Sequence, residues 1–307
     1  MRVLIADGNN LGWRGSVTTP LIHNGRRTEV IYSGLNIIRA YLDRFHPDEC
    51  IVVWDGGRDK RRTSIYPQYK KKKKEYTEVE KRERAIFYEQ LERLREVFSK
   101  LGIFQYQVLG READDVIFTL LHYAIPPDSE TECFVISTDK DFYQLFAWWK
   151  DVILYNPVKK RGVTYFQAVE ELGFDPEDYV LYRALVGDPS DNLPGVRGIG
   201  QVKAKKLLSF LESQTTTLSE KELKKLMNIL EKEEKQLELM VDLVNFKLLS
   251  REELNKGIIE VETIDSPEKF YEQLMLVCDS FGFERVLDNI SQYAGPFIAL
   301  HRKRRAK

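Results

Sequence analysis

The sequence predicts an α/β protein built on a mostly parallel central sheet, followed by a mainly helical region. Three observations carry this. Apolar runs at residues 2–6, 50–54 and 133–137 alternate with stretches of helical spacing, the pattern of parallel strands joined by crossover helices. An acid follows each run closely, as Asp7, Asp55 and Asp139, at the strand ends where such sheets bind ligands. After about residue 160 the strand pattern fades and helix-start devices replace it.

The elements follow in order. Arg2–Ala6 reads as a buried strand, and Asp7-Gly8-Asn9 as the turn after it. Ile31, Leu35, Ile38, Leu42 and Phe45 recur at helical spacing. Cys50–Trp54 is a second strand, stopped by Asp55-Gly56-Gly57. Ile86, Leu91, Leu94, Val97 and Leu101 mark a long amphipathic helix closed by Gly102. A short strand at 104–109, a buried helix at 113–123, a third clear strand at 133–137 and another at 152–155 complete the first region, residues 1–160. In the second, residues 161–307, Asp175-Pro176-Glu177 and Ser266-Pro267-Glu268 each offer an N-cap followed by proline. Ser219 and Glu222 have capping-box spacing.

A chain of 307 residues fits two domains. No window approaches the ~18 apolar residues of a membrane span. Asp7 comes too early for a secretory signal. Cys50, Cys133 and Cys278 are too few and too scattered for a disulfide scaffold or a cysteine-rich zinc site. A reduced, cytoplasmic enzyme or binding protein is expected. The net charge of -1 hides segregation. Arg58 to Lys74 holds nine Lys/Arg and one acid. With few apolar residues, the segment at about 58–85 is expected to be exposed and mobile. The tail Arg302–Lys307 adds five basic residues and is also expected to be mobile. Charge runs are commonly solvated surface. A basic strip beside acidic pairs instead suggests a polyanion held over a metal site.

Those acids are Asp7, Asp55, Glu112, Asp114, Asp115, Asp139, Asp141, Asp188 and Asp191. Two unit charges about 4 Å apart repel by roughly 4 kcal/mol at a surface-like dielectric. Bound cations remove that cost. Oxygen-only ligands favour Mg²⁺ or Mn²⁺ over zinc, and two such ions can clamp a phosphodiester. Glu112 and Asp115 share a helix face, as do residues three apart generally. Each acid has an ordinary reading too: Asp7-Gly8 as a turn, Asp139 as a helix cap, and Glu112, Asp114 and Asp115 as first-turn acids. Their joint occurrence at strand ends favours a metal nuclease.

Leu193-Pro194-Gly195-Val196-Arg197-Gly198-Ile199-Gly200 follows the last acidic pair. Its glycines allow sharp turns and close backbone approach. A helix starting near Gln201 would present N–H groups to a phosphate, beside Lys203, Lys205 and Lys206. This is a helix-hairpin-helix pattern at about 185–212, which grips DNA backbone without reading bases. The four histidines match no motif, so metals rather than histidine are expected to do the acid–base work.

In these motifs the chain resembles the 5′-nuclease (flap endonuclease) family, with its stand-alone phage enzymes and the 5′-nuclease domain of bacterial DNA polymerase I. The residues are Asp7-Gly8 with Leu11 and Arg14, Trp54-Asp55-Gly56, Arg62, Tyr69-Lys70, Glu112-Ala113-Asp114-Asp115, Thr138-Asp139-Lys140-Asp141, and the stretch Gly187 to Gly200. The resemblance implies a PIN-like fold whose basic strip is a helical arch over the 5′ single strand. It implies two or more Mg²⁺, replaceable by Mn²⁺, and K⁺ at the hairpin turn. Asp7, Asp55, Glu112, Asp114 and Asp115 would hold one ion; Asp139, Asp141, Asp188 and Asp191 the other. Lys70 would contact the scissile phosphate, with Asp7, Asp55, Asp114 and Asp115 the acids closest to the chemistry. Arg14, Arg62, Tyr69, Lys70, Lys73, Gly195, Arg197, Gly198, Gly200, Lys203 and Lys205 would bind DNA. Lys73 stands where relatives often have arginine, whose fork a lysine cannot reproduce. Trp13 stands where Tyr or Phe is usual.

The implied activity is cleavage at 5′ flaps, gaps and 5′ ends of DNA, leaving 5′-phosphate, in primer or flap removal. The implied enzyme is a monomer in a bacterial or phage-infected cytoplasm, with RNA–DNA primer strands as a further substrate. No polymerase region is expected after residue 307. The rival readings are a non-catalytic branched-DNA-binding protein and a PIN-type ribonuclease.

Overall fold

The computed structural model describes residues 1–71, 75–124, 130–213 and 218–306. Its main sheet has seven strands: β1 Arg2–Asp7, β4 Glu49–Val53, β5 Phe104–Tyr106, β6 Glu132–Ile136, β7 Ile153–Asn156, β8 Arg161–Val163 and β9 Ile258–Ile259. Strands β2 Ile22–His23 and β3 Arg26–Arg27 form a separate hairpin. The sheet order is β8-β7-β6-β1-β4-β5-β9. The five inner strands are parallel, while β8 and β9 close the edges antiparallel.

Both faces of the sheet are covered, which explains why its strands are apolar throughout rather than alternating. Along β1, Leu4 and Ala6 enter one core cluster, and Val3 and Ile5 the other. Helices Glu29–Phe45 and Glu78–Lys100 pack over the first face. Helices Ala113–Ala124 and Tyr165–Leu172, with the 3₁₀ segment Lys140–Ala147, pack over the second. Strand β1 pairs with β4 on one side and β6 on the other. The winding therefore reverses there, opening a crevice at the carboxyl ends. Asp7 closes β1, Asp55 follows β4 and Asp139 follows β6, all at that crevice.

The predicted strands and helices appear at nearly the expected places. The long helix starts earlier than its apolar spacing indicated, at Glu78. A capping box between Thr77 and Glu80 begins it, where no core contact is needed.

The division at residue 160 needs correction in two respects. The edge strand β8 lies just beyond it. Residues 258–305 also return to the first core: β9 extends the sheet, and Phe270, Leu274, Val277, Phe297 and Leu300 are buried with the β1 and β4 side chains. The helical second unit is thus Tyr179–Val186, Gln201–Ser213, Glu220–Lys232 and Glu234–Val244, around its own smaller clusters. The basic tail is also not a free tail. Residues 302–305 are the last turn of helix Ile290–Arg305, and Arg304 donates to Glu49 and to the carbonyls of Gly102 and Cys50; Lys307 lies outside the described residues. Among the described residues no helix is long and apolar enough to cross a membrane.

Candidate active site

Six of the nine acids, Glu112, Asp114, Asp139, Asp141, Asp188 and Asp191, line one cleft with Tyr69, Lys70 and Arg183. Asp7 and Asp55 adjoin it, and both act electrostatically on Asp114. Local structure aims several of these acids while using part of each. Asp7 caps helix Gly8–Ser16, with Oδ1 accepting the Asn10 N–H at 3.0 Å and Oδ2 the Ser137 hydroxyl at 3.2 Å. Asp139 caps the 3₁₀ segment through the Asp141 N–H. Asp55 accepts the Ala113 N–H at 2.9 Å, tying the end of β4 to the 112–115 acids. The cap reading of Asp139 is therefore correct, and Asp7, read as a turn residue, is a helix cap as well; neither role removes the acid from the cluster.

Burial and crowding raise Asp7, Asp55, Asp114, Asp141 and Asp191, whereas at Asp188 the effect of burial is outweighed by the Ser190 hydrogen bonds and the Arg183 charge. Asp7 is pushed up to about 7 by burial, with Asp55 and Asp139 adding to the shift. Asp141 and Asp191 rise to about 6, again chiefly from burial. Asp114 is raised strongly by burial and by Asp139 and Asp7. Two cations offset part of the repulsion. Lys70 Nζ lies 2.9 Å from Glu112 and 3.7 Å from Asp191. Burial opposes its charge, but the surrounding acids outweigh that and hold the ammonium well above its usual range. Arg183 Nε lies 3.0 Å from Asp141, and its guanidinium also pairs with Asp188. Tyr179 donates to Asp141 at 3.1 Å.

No three acidic, histidine or cysteine side chains among the described residues already form a metal cage. The donor set nonetheless fits hard divalent cations. It consists of carboxylate oxygens, and several hold protons at a pH where isolated carboxylates do not. Arg183 and Tyr179 escaped the sequence reading. The only available signal was a basic residue five positions before Asp188 on a helix ending at the acidic loop.

That loop is closed by reciprocal backbone bonds between Asp188 and Leu193, both 2.8 Å. Gly187 and Gly195 pack so tightly that a Cβ on Gly195 would sit 2.6 Å from the Gly187 nitrogen. Both have positive φ, so glycine is required on two counts. Val196 and Ile199 are buried beneath the hairpin. Arg197, Gly198, Gly200 and Lys203 are exposed along it. The loop also holds the arch base: the Lys70 N–H donates to the Asp191 carbonyl at 2.9 Å, and Asn192 donates to Gln68 and Lys71 carbonyls.

A family model for the 5′-3′ exonuclease N-terminal resolvase-like domain matches residues 2–173, and one for the 5′-3′ exonuclease C-terminal SAM fold matches 174–266. The chain belongs to the 5′-3′ exonuclease family. It is 28% identical over 302 residues to DNA polymerase I of Bacillus subtilis, covering 95% of this chain and 32% of that protein. It is 33% identical over 242 residues to the thermostable DNA polymerase I of Thermus thermophilus, covering 77% and 27%. The chain thus spans about a third or less of the polymerases it resembles. The T5 D15 protein co-crystallised with metal ions shares the fold, with TM-score 0.67 and 22% identity over 83% of this chain and 96% of that one. Human GEN1 in complex with Holliday junction DNA superposes with TM-score 0.53 and 17% identity, over 93% and 70%.

In this member of the 5′-3′ exonuclease family several expected contacts fall elsewhere. Arg62 and Tyr69 are buried, not displayed on a mobile arch. Arg62 reaches Asp115, and the Tyr69 hydroxyl donates to Glu112 at 2.8 Å. Helix Lys60–Ile65, capped by Asp59, folds this half of the basic segment onto the protein. Asp115 is fully buried and does not line the cleft. Lys205 donates to the Leu172 carbonyl and lies over Phe174, so it is a structural tether. Arg14 is half-buried beside the Tyr41 hydroxyl. Lys73 lies outside the described residues.

Proposed function

We propose that this chain is a structure-specific, divalent-metal-dependent 5′ nuclease, cutting DNA phosphodiesters at 5′ flaps, gaps and 5′ ends and leaving 5′-phosphate. The observation that carries this is the shared cleft: it gathers six carboxylates, pairs four of them with Lys70 or Arg183, and takes two, Asp188 and Asp191, from the loop that leads into the hairpin. Asp7, Asp55, Glu112 and Asp114 would hold one Mg²⁺ and Asp139, Asp141, Asp188 and Asp191 another, with Mn²⁺ as substitute. Bound there, such ions supply water activation and neutralise the leaving oxygen.

The protein's own residues do the rest. The exposed hairpin edge at Arg197–Lys203 grips duplex backbone. Lys70, placed between Glu112 and Asp191, would contact the scissile phosphate. Arg183 keeps Asp141 and Asp188 aimed at one point. RNA–DNA primer strands belong to the substrate range, and K⁺ to the hairpin turn.

An end-labelled 5′ flap, with and without Mg²⁺, tests the reading. We expect metal-dependent cuts near the branch, abolished in Asp188→Asn/Asp191→Asn while flap binding persists. Cleavage by that variant at the wild-type rate would remove the second metal assignment. Binding without any cutting would leave a branched-DNA-binding protein, and preference for single-stranded RNA a ribonuclease.

A further inference from the structure

We infer that Asp115 is not a metal carboxylate: with Arg62 it forms a buried strut fixing the arch base and a strap of the C-terminal region against the acids at 112–115. This rests on the metal-dependent reading above. The motif Glu112-Ala113-Asp114-Asp115 makes two adjacent aspartates equivalent on paper, but the fold separates them. Asp114 lines the cleft. Asp115 is 0% exposed, and both of its oxygens are taken. Oδ2 accepts Arg62 Nη1 at 2.6 Å; Oδ1 accepts Arg62 Nη2 at 2.8 Å and the Lys247 N–H at 2.8 Å.

Such a bidentate, charge-assisted pair is strong and directional. Arg62 is equally committed. Its Nε donates to the Leu243 carbonyl at 2.9 Å and Nη2 to the Asn245 carbonyl at 3.1 Å. One pair thereby joins three stretches distant in sequence: the arch base at 59–70, the acids at 112–115, and residues 243–249. A second bond reinforces the junction, from the Leu249 N–H to Thr119, one helical turn past Asp115. Ligation by Asp115 would require leaving a guanidinium buried without its partner, which is costly. Glu112 shares the junction, 3.5 Å from Arg62, so the strut is a positioning device for that acid.

Cysteine substitution with Cd²⁺ reads ligation directly, because a soft thiolate at a ligand position recruits a soft ion. In the DNA-free full-length protein, Asp114→Cys should show cadmium–thiolate ultraviolet absorption on adding Cd²⁺, and Asp115→Cys should not. Asp115→Asn should bind as many Mn²⁺ ions as wild type by calorimetry, which decides the question if the cysteine variant does not fold. The same variant should melt lower, exchange amides faster across 243–249, and cut a flap about tenfold more slowly at saturating Mn²⁺ well below its melting point. A cadmium–thiolate band in Asp115→Cys, or one Mn²⁺ fewer in Asp115→Asn, would overturn the inference. Wild-type cleavage by Asp115→Asn would equally remove the positioning role. A wild type that binds Mn²⁺ but cuts no flap fails the proposed function alone, since the thiolate band still separates Asp114 from Asp115.

Discussion

On the proposed reading, protons and metal ions compete for the same carboxylates. Asp7 is pushed up to about 7, and Asp141 and Asp191 to about 6. A raised carboxyl stabilises the metal-free fold while protonated, and that contribution fades as pH rises through the folded value. Metal-free protein should therefore melt at a lower temperature at about pH 8 than at about pH 5, with Mg²⁺ recovering the loss mainly at the higher pH. Melting curves in chelator and in Mg²⁺ across that range measure it; a flat metal-free profile would remove the burial argument. Lys70 acts on the other side of the balance. Lys70→Ala should lower the single-turnover rate by about 10²–10³ with a much smaller loss of affinity, as for removal of one donor at a developing charge. Equal losses would make it an ordinary backbone contact. The acids themselves were legible in the sequence because strand ends and spacing place them together. The partition between Asp114 and Asp115 was not, because it depends on Arg62 arriving from 53 residues away.

The arch and the long helix show what pattern reading can miss at the scale of elements. Apolar spacing finds only the buried part of Glu78–Lys100, whose core residues begin at Gln90 and Leu91. The exposed first turns depend on the Thr77 capping box. Thr77→Ala should cost about 1 kcal/mol and speed amide exchange in the first turn, with the Gln90–Phe98 stretch unaffected. Uniform loss of protection would mean that the helix frays as one unit. Composition likewise made residues 58–71 look mobile. Arg62 and Tyr69 are buried because each long side chain finds a carboxylate partner, and charge counts carry no information on partners.

The alternation of strands and helices was enough to give the architecture of the whole molecule, but not its closure. Nothing in Ile258-Ile259 announces an edge strand, since two residues cannot show a period. The helices after it complete the first core: Phe270 and Phe297 stack with centroids 5.4 Å apart, both fully buried. Phe297→Ala should destabilise by about 3–5 kcal/mol, read from urea unfolding of the whole protein. A truncation at residue 266, where the family match ends, should fail to give a cooperative transition. If it melts like the full chain, the last two long helices are accessory.

The tight loop from Gly187 to Val196 has one more consequence. On the proposed reading Asp188 and Asp191 belong to the cutting site, and the hairpin lies a few residues further along the same twice-pinned backbone. On the proposed reading the chain is then a ruler. The spacing between grip and cut is set by covalent length, not by the flexing of one domain against another. Lengthening that loop should displace the cut along the DNA rather than blur it.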